Sequence, residues 1–133
     1  MRRLEVDVQP DGYSVARFPA GTALPAGLHG HAAALVSVTS TPDEVSVVCP
    51  TELAPPGADQ VDHGWRLLTV RGPLEFTLTG IMAAMAGALA AAGVSLFALS
   101  TFDTDHVLVK ATDLTRAVSA LTEAGHEVHV PAG

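Results

Sequence analysis

Cysteine occurs once in this 133-residue chain, at Cys49, so an internal disulfide is impossible and a reducing, cytoplasmic setting is expected. Cys49 lies in an apolar, strand-like run, where a thiol is buried and inert. Aromatic residues make up only 5%, which leaves most of the packing to small aliphatic side chains. Basic residues are also scarce: seven Lys plus Arg against fourteen Asp plus Glu give a net charge of -7. A chain of that sign repels phosphate backbones unless its cations cluster, and Arg2-Arg3 is the only adjacent pair, so nucleic acid is not an expected partner. Glu5, Asp7 and Asp11 interrupt the N-terminal segment before an apolar core can form, so no signal peptide is expected. His29-Gly30-His31 and His63 lack Cys or carboxylate companions at ligand spacing, and no metal is expected there. His126 and His129, three apart on a strand, point to opposite faces. The chain has no nucleophile elbow, phosphate loop or paired catalytic motif, so neither catalysis nor a cofactor is expected. A small enzyme using Asp105 or Asp103 with His106 as acid and base is the weakest alternative, because a second catalytic group is missing.

What is present is apolar patterning. With 48% hydrophobic and 16% charged residues, the chain can fill a core for one compact domain or two small units. Gly80 to Leu99 carries no charge and has the length of a membrane span. It is nevertheless built mostly of Ala and Gly, pauses at Gly93, and resumes as strand-like Val94 to Leu99. A helix, a glycine stop and a buried strand account for it without a membrane.

The second half spaces out as a strand over Arg66 to Arg71, a turn at Gly72-Pro73, and Leu74 to Thr79 leading into a helix over Gly80 to Ala92. A strand over Val94 to Ser100, a turn, and a strand over His106 to Lys110 follow. A second helix starts at Thr112 or Asp113, with Leu114, Ala117, Val118, Leu121 and Ala124 at helical spacing, and Gly125 ends it before a strand over His126 to Val130. This is the βαββαβ order of a ferredoxin-like unit. The first half repeats it with strands near Leu4 to Val8, Tyr13 to Phe18, Leu35 to Thr39 and Val45 to Cys49. Pro19, Gly21, Pro25, Gly27 and Gly30 reduce its helices to a turn or two. Pro55 to Gly64 is the expected hinge.

Ser40-Thr41-Pro42-Asp43-Glu44 is echoed at an offset of 60 residues by Ser100-Thr101-Phe102-Asp103-Thr104-Asp105, and Thr51-Glu52-Leu53 by Thr112-Asp113-Leu114. Taken alone, Asp103 and Asp105 serve equally well as turn formers, and Gly80 as a close-packing residue. Together they place free helix-start N–H groups and a carboxylate turn in one unit, one site of each sign, which suits a zwitterion.

These residues resemble the ACT domain, an amino-acid-sensing module of regulated enzymes. The matching signature is Gly72-Pro73-Leu74, Thr79-Gly80-Ile81, and Val94-Ser95 through Asp105. The chain is most similar to stand-alone tandem ACT proteins and to the ACT repeats of aspartate kinases and cytosolic arginine sensors. The resemblance implies an α+β fold of two tandem ferredoxin-like (βαββαβ) units, 1–64 with reduced helices and 65–133 complete, with antiparallel sheets and helices on one face. It implies a non-catalytic regulatory protein that binds a free amino acid between units. The ligand residues it implies are Thr79, Gly80, Ile81, Ser100, Thr101, Phe102, Asp103 and Asp105, with Thr39, Ser40 and Thr41 of the first copy as the other wall. A homodimer is expected, since the edge strands and the all-round apolar helix need cover. The alternative is a ligand-free ACT pair that acts as a structural or protein-interaction module.

Overall fold

In the computed structural model, residues 3–28, 33–72 and 80–131 are described. The chain divides into two compact units, one of residues 3–10 with 66–131 and the other of residues 11–65. The expected linear division, 1–64 and 65–133, differs from this in the place of residues 3–10 and of Trp65.

Strand β1 runs unbroken from Glu5 to Pro19 and contributes to both units. Pro10-Asp11-Gly12, where the sequence suggests a break between two strands, lies within it. In the unit of residues 11–65, β2 (Ser37–Ser40) and β3 (Glu44–Pro50) pair antiparallel, and β3 pairs antiparallel with β1 from Tyr13↔Pro50 to Pro19↔Glu44. Ala16, Phe18, Leu28, Val45, Val47 and Cys49 form its core. Its described residues hold only 3₁₀ turns, at Leu28 and Thr51–Leu53, as the density of Pro and Gly requires. Strand β4 spans Gln60–Val70, so the second half of the expected hinge is strand.

The other unit continues from β4 through α1 (Ile81–Ala91), β5 (Leu96–Ser100), β6 (Asp105–Lys110), α2 (Leu114–Glu123) and β7 (Glu127–His129). Its strands lie in the order β5-β6-β4-β1-β7, with β5 antiparallel to β6 and β7 parallel to β1. This is the ferredoxin-like arrangement with the first strand of the chain inserted between β4 and β7. Alternation does the packing: Leu4, Val6, Val8, Leu68, Val70, Val107 and Val109 face Ile81, Met85 and Leu89 of α1 and Ala117 and Leu121 of α2. Both helices therefore cover one face of the sheet.

Helix α1 buries one stripe, Ile81, Met85 and Leu89, although it is apolar on every side; Ala83, Gly87 and Ala90 remain exposed. The helix closes as expected at Gly93, where Gly93 N–H donates to Ala90 O (3.0 Å) and Val94 N–H to Leu89 O (3.0 Å). Helix α2 ends alike, with His126 N–H donating to Leu121 O at 3.1 Å. Among the described residues, no helix is long and apolar enough to cross a membrane.

Candidate functional site

The β5–β6 hairpin is built around Thr101. Its N–H donates to Thr104 O (2.8 Å), its hydroxyl contacts the same carbonyl (3.2 Å), and Thr104 N–H donates back to Thr101 Oγ1 (3.3 Å). At the last paired position of the strands, Ser100 Oγ donates to Asp105 Oδ1 at 2.5 Å. Short hydroxyl side chains that bond nearby backbone are what such a tip demands. Thr104 Oγ1 donates to Val70 O at 2.5 Å, tying the tip to the end of β4, from which the chain runs toward α1. Phe102 is 81% exposed and Asp103 is also at the surface. His106, next along β6, is buried against Thr69 Oγ1, 3.0 Å from its Nδ1. Burial pulls its pKa below the usual imidazole value, and nearby Asp105 opposes that only in part.

Helix α1 begins at Gly80 with φ 80°, a conformation that a side chain resists and glycine accepts. Gly80 O receives Ala84 N–H at 2.8 Å, the first bond of the helix. Among the described residues no side chain caps this end, and no acidic residue lies in the helix's first turn, so the positive end of the helix dipole has no counter-charge from its own turn. Among the described residues, a Cβ built at Gly80 would meet nothing within 4 Å. Ile81 is buried and points its side chain to the core, leaving only its backbone for a ligand.

Of the sequence-derived candidates, Gly80, Ile81, Ser100, Thr101, Phe102, Asp103 and Asp105 thus lie in one compact unit, and Ser100 meets Asp105 directly. Thr39 and Ser40 end β2 and Thr41 opens the following turn, in the other unit. Thr79, with Pro73 and Leu74 of the signature, lies outside the described residues, as do His29 and His31. Thr104 was not among the candidates, yet it holds the hairpin to β4. Its place in the repeated motif, opposite Glu44, was the available signal, since Thr41 N–H donates to Glu44 O (2.9 Å) just as Thr101 N–H donates to Thr104 O.

Comparison with known proteins adds to this geometry. A family model described as ACT domain matches residues 60–123. Cytosolic arginine sensor for mTORC1 subunit 1 from Homo sapiens is 41% identical over 58 residues, which are 43% of this chain. The match spans 18% of the length of that curated relative. Among solved structures, protein Atu0741 from Agobacterium tumefaciens superposes with a TM-score of 0.87 at 34% identity, covering 100% of this chain and 97% of that one. The ligand-free regulatory subunit of aspartate kinase from Thermus thermophilus superposes with a TM-score of 0.62 at 14% identity, covering 90% and 97% of the two chains, a likeness of fold.

Proposed function

Because this chain belongs to the ACT domain family, we propose that it is a non-catalytic regulatory module that senses a free amino acid or a similar small zwitterion. The observation that carries this reading is the start of α1 at Gly80, acid-free in its first turn and uncapped among the described residues, in the unit whose β5–β6 tip presents Asp103 and is tied by Thr104 to the end of β4. Backbone N–H groups at a helix start take a carboxylate, and Asp103 takes an ammonium group by a charge-assisted hydrogen bond. Thr79, Ser100, Thr101, Phe102 and Asp105 complete the proposed site, with Ser100, Thr101 and Asp105 fixing its shape through the bonds they make to each other and to Thr104. The name of one relative, a cytosolic arginine sensor, supports an amino acid as the ligand class. A cytoplasmic homodimer is the proposed working form.

A thermal-shift screen of the purified protein against the proteinogenic amino acids tests this. A ligand present at a hundredfold its Kd stabilises the native state by about 2.7 kcal/mol, a shift of roughly 10 °C for a chain of this size. A shift with one or a few amino acids, lost in Asp103→Ala, supports the sensor; no shift at millimolar concentrations overturns it. The second reading, docking of another protein, is favoured by the exposed small-residue face of α1 at Ala83, Gly87 and Ala90.

A further inference from the structure

The face of the β7-β1-β4 strands opposite the helices carries a group of side chains that the proposed sensing site does not use. In β1, Leu4, Val6 and Val8 enter the core, so Glu5 and Asp7 alternate to the other face. Strand β7 pairs with β1 in parallel, with Glu5↔Glu127 and Asp7↔His129 as partners, and this register sets Glu127 and His129 on the same face. His129 Nε2 lies 3.2 Å from Glu5 Oε1 and 3.8 Å from Glu127 Oε1, and one donor atom from each of the three lies within 4.8 Å of the others.

The two His129 separations, one of them a hydrogen bond to Glu5, bracket the ligand–ligand edge of a metal coordination shell. With metal–nitrogen and metal–oxygen bonds of about 2.1 Å, neighbouring ligand atoms of a tetrahedral ion sit roughly 3.4 Å apart. An imidazole between two carboxylates suits a borderline divalent ion such as Zn²⁺, whereas Mg²⁺ and Ca²⁺ want oxygen throughout. Three protein ligands leave one position open to water.

Two arginines share the face, and each holds one of the carboxylates through a single oxygen. Arg3 donates to Glu127 Oε2 at 2.6 Å, which leaves Oε1 on the His129 side. Arg71 meets Glu5 Oε1 at 3.1 Å, but its main partner is Asp7, which it grips through Nε to Oδ2 (3.1 Å) and through a second nitrogen to Oδ1 (2.6 Å). Turning Glu5 Oε1 to an ion therefore forfeits its exposed contacts with Arg71 and His129 and leaves the forked Arg71–Asp7 pair in place. Asp7, with both oxygens taken, stays outside the ligand set. The Glu5, Glu127 and His129 side chains are 37–47% exposed, so an ion reaches them directly.

We propose that Glu5, Glu127 and His129 form a binding site for a divalent transition-metal ion of the Zn²⁺ class. The test is a calorimetric titration of the metal-free, full-length protein with Zn²⁺, with the histidine imidazole nitrogens followed in parallel by NMR. The expected result is one ion per chain, a shift of the His129 Nε2 signal, and affinity at least tenfold weaker in His129→Ala and in Glu5→Gln, while His63→Ala binds as the parent does. Circular dichroism of each variant checks that it folds. An unmoved His129 signal, affinity unchanged in both variants because other histidines hold the ion, or equal competition by Mg²⁺ would each overturn the site.

Discussion

Thr41 and Thr101, sixty residues apart in the chain, close their hairpins with the same bond: each donates its N–H to the carbonyl three residues on, Glu44 O at 2.9 Å and Thr104 O at 2.8 Å. In both tips the threonine hydroxyl also receives a backbone N–H, from Asp43 and Glu44 in one and from Thr104 in the other. The repeated Ser-Thr motif is therefore first a turn device. Any ligand role of Asp103 is built on a tip that is already closed.

Thr101→Val keeps the side-chain shape and removes the hydroxyl, leaving Thr104 N–H to solvent at an exposed turn. The expected loss is about 0.5–1.5 kcal/mol, read from the urea midpoint at unchanged slope. Unaltered stability would show that the hydroxyl does not hold the tip.

Met85 is fully buried in the centre of the α1 stripe. Truncation to Ala is expected to cost about 2–5 kcal/mol, because the surrounding Val and Leu residues cannot close the space. Exposed Ala83→Ser on the same helix is expected to change stability by less than about 0.5 kcal/mol. Chemical denaturation of the pair separates the buried stripe from the outward face.

Gly80→Ala forces a Cβ into the left-handed region, where it meets no atom of the described residues; the conformational cost is about 1–2 kcal/mol. Gly80→Asn, which tolerates that region better, is expected to recover part of the stability. Loss of amino-acid binding in both variants, with a cooperative thermal transition retained, is the outcome expected if the ligand approaches the helix start. Full affinity in both would remove Gly80 from the site.

His106 has its folded pKa below the unfolded imidazole value of about 6.5, so the folded state takes up its proton later than the unfolded chain does. The associated stability is present above pH ~6.5 and is lost as pH falls from there toward the folded pKa. His106→Gln is expected to flatten the stability–pH curve below about pH 6.5, measured by urea unfolding at each pH. A curve parallel to that of the parent would mean that His106 is not the group responsible.

Much of this molecule is written locally. Leu114, Ala117, Val118 and Leu121 repeat at helical spacing and form α2; Gly93 and Gly125 end the two helices; and the Ser-Thr motif announces both hairpin tips. Each signal lies within a few residues of the structure it specifies, because helix periodicity, glycine stops and short-range hydroxyl bonds act over one or two turns. The candidate site is legible to the same extent: the turn from Ser100 to Asp105 and the glycine start of α1 stand where local chemistry puts them.

The rest depends on partners distant in the chain. Pro10 and Gly12 read as a break, yet β1 passes through them without interruption from one unit to the other, and Gln60 to Gly64 joins β4 although it follows a Pro-Gly stretch. The parallel pairing of β7 with β1 brings Glu127 and His129 to Glu5, which precedes them by more than a hundred residues. Spacing along β7 separates His126 from His129 and sets Glu127 beside His129, but it cannot bring Glu5 to them. Register between strands is fixed only when whole hydrophobic faces are buried together, and so it was tertiary packing that decided where β1 runs and which charges meet on the open face of the sheet.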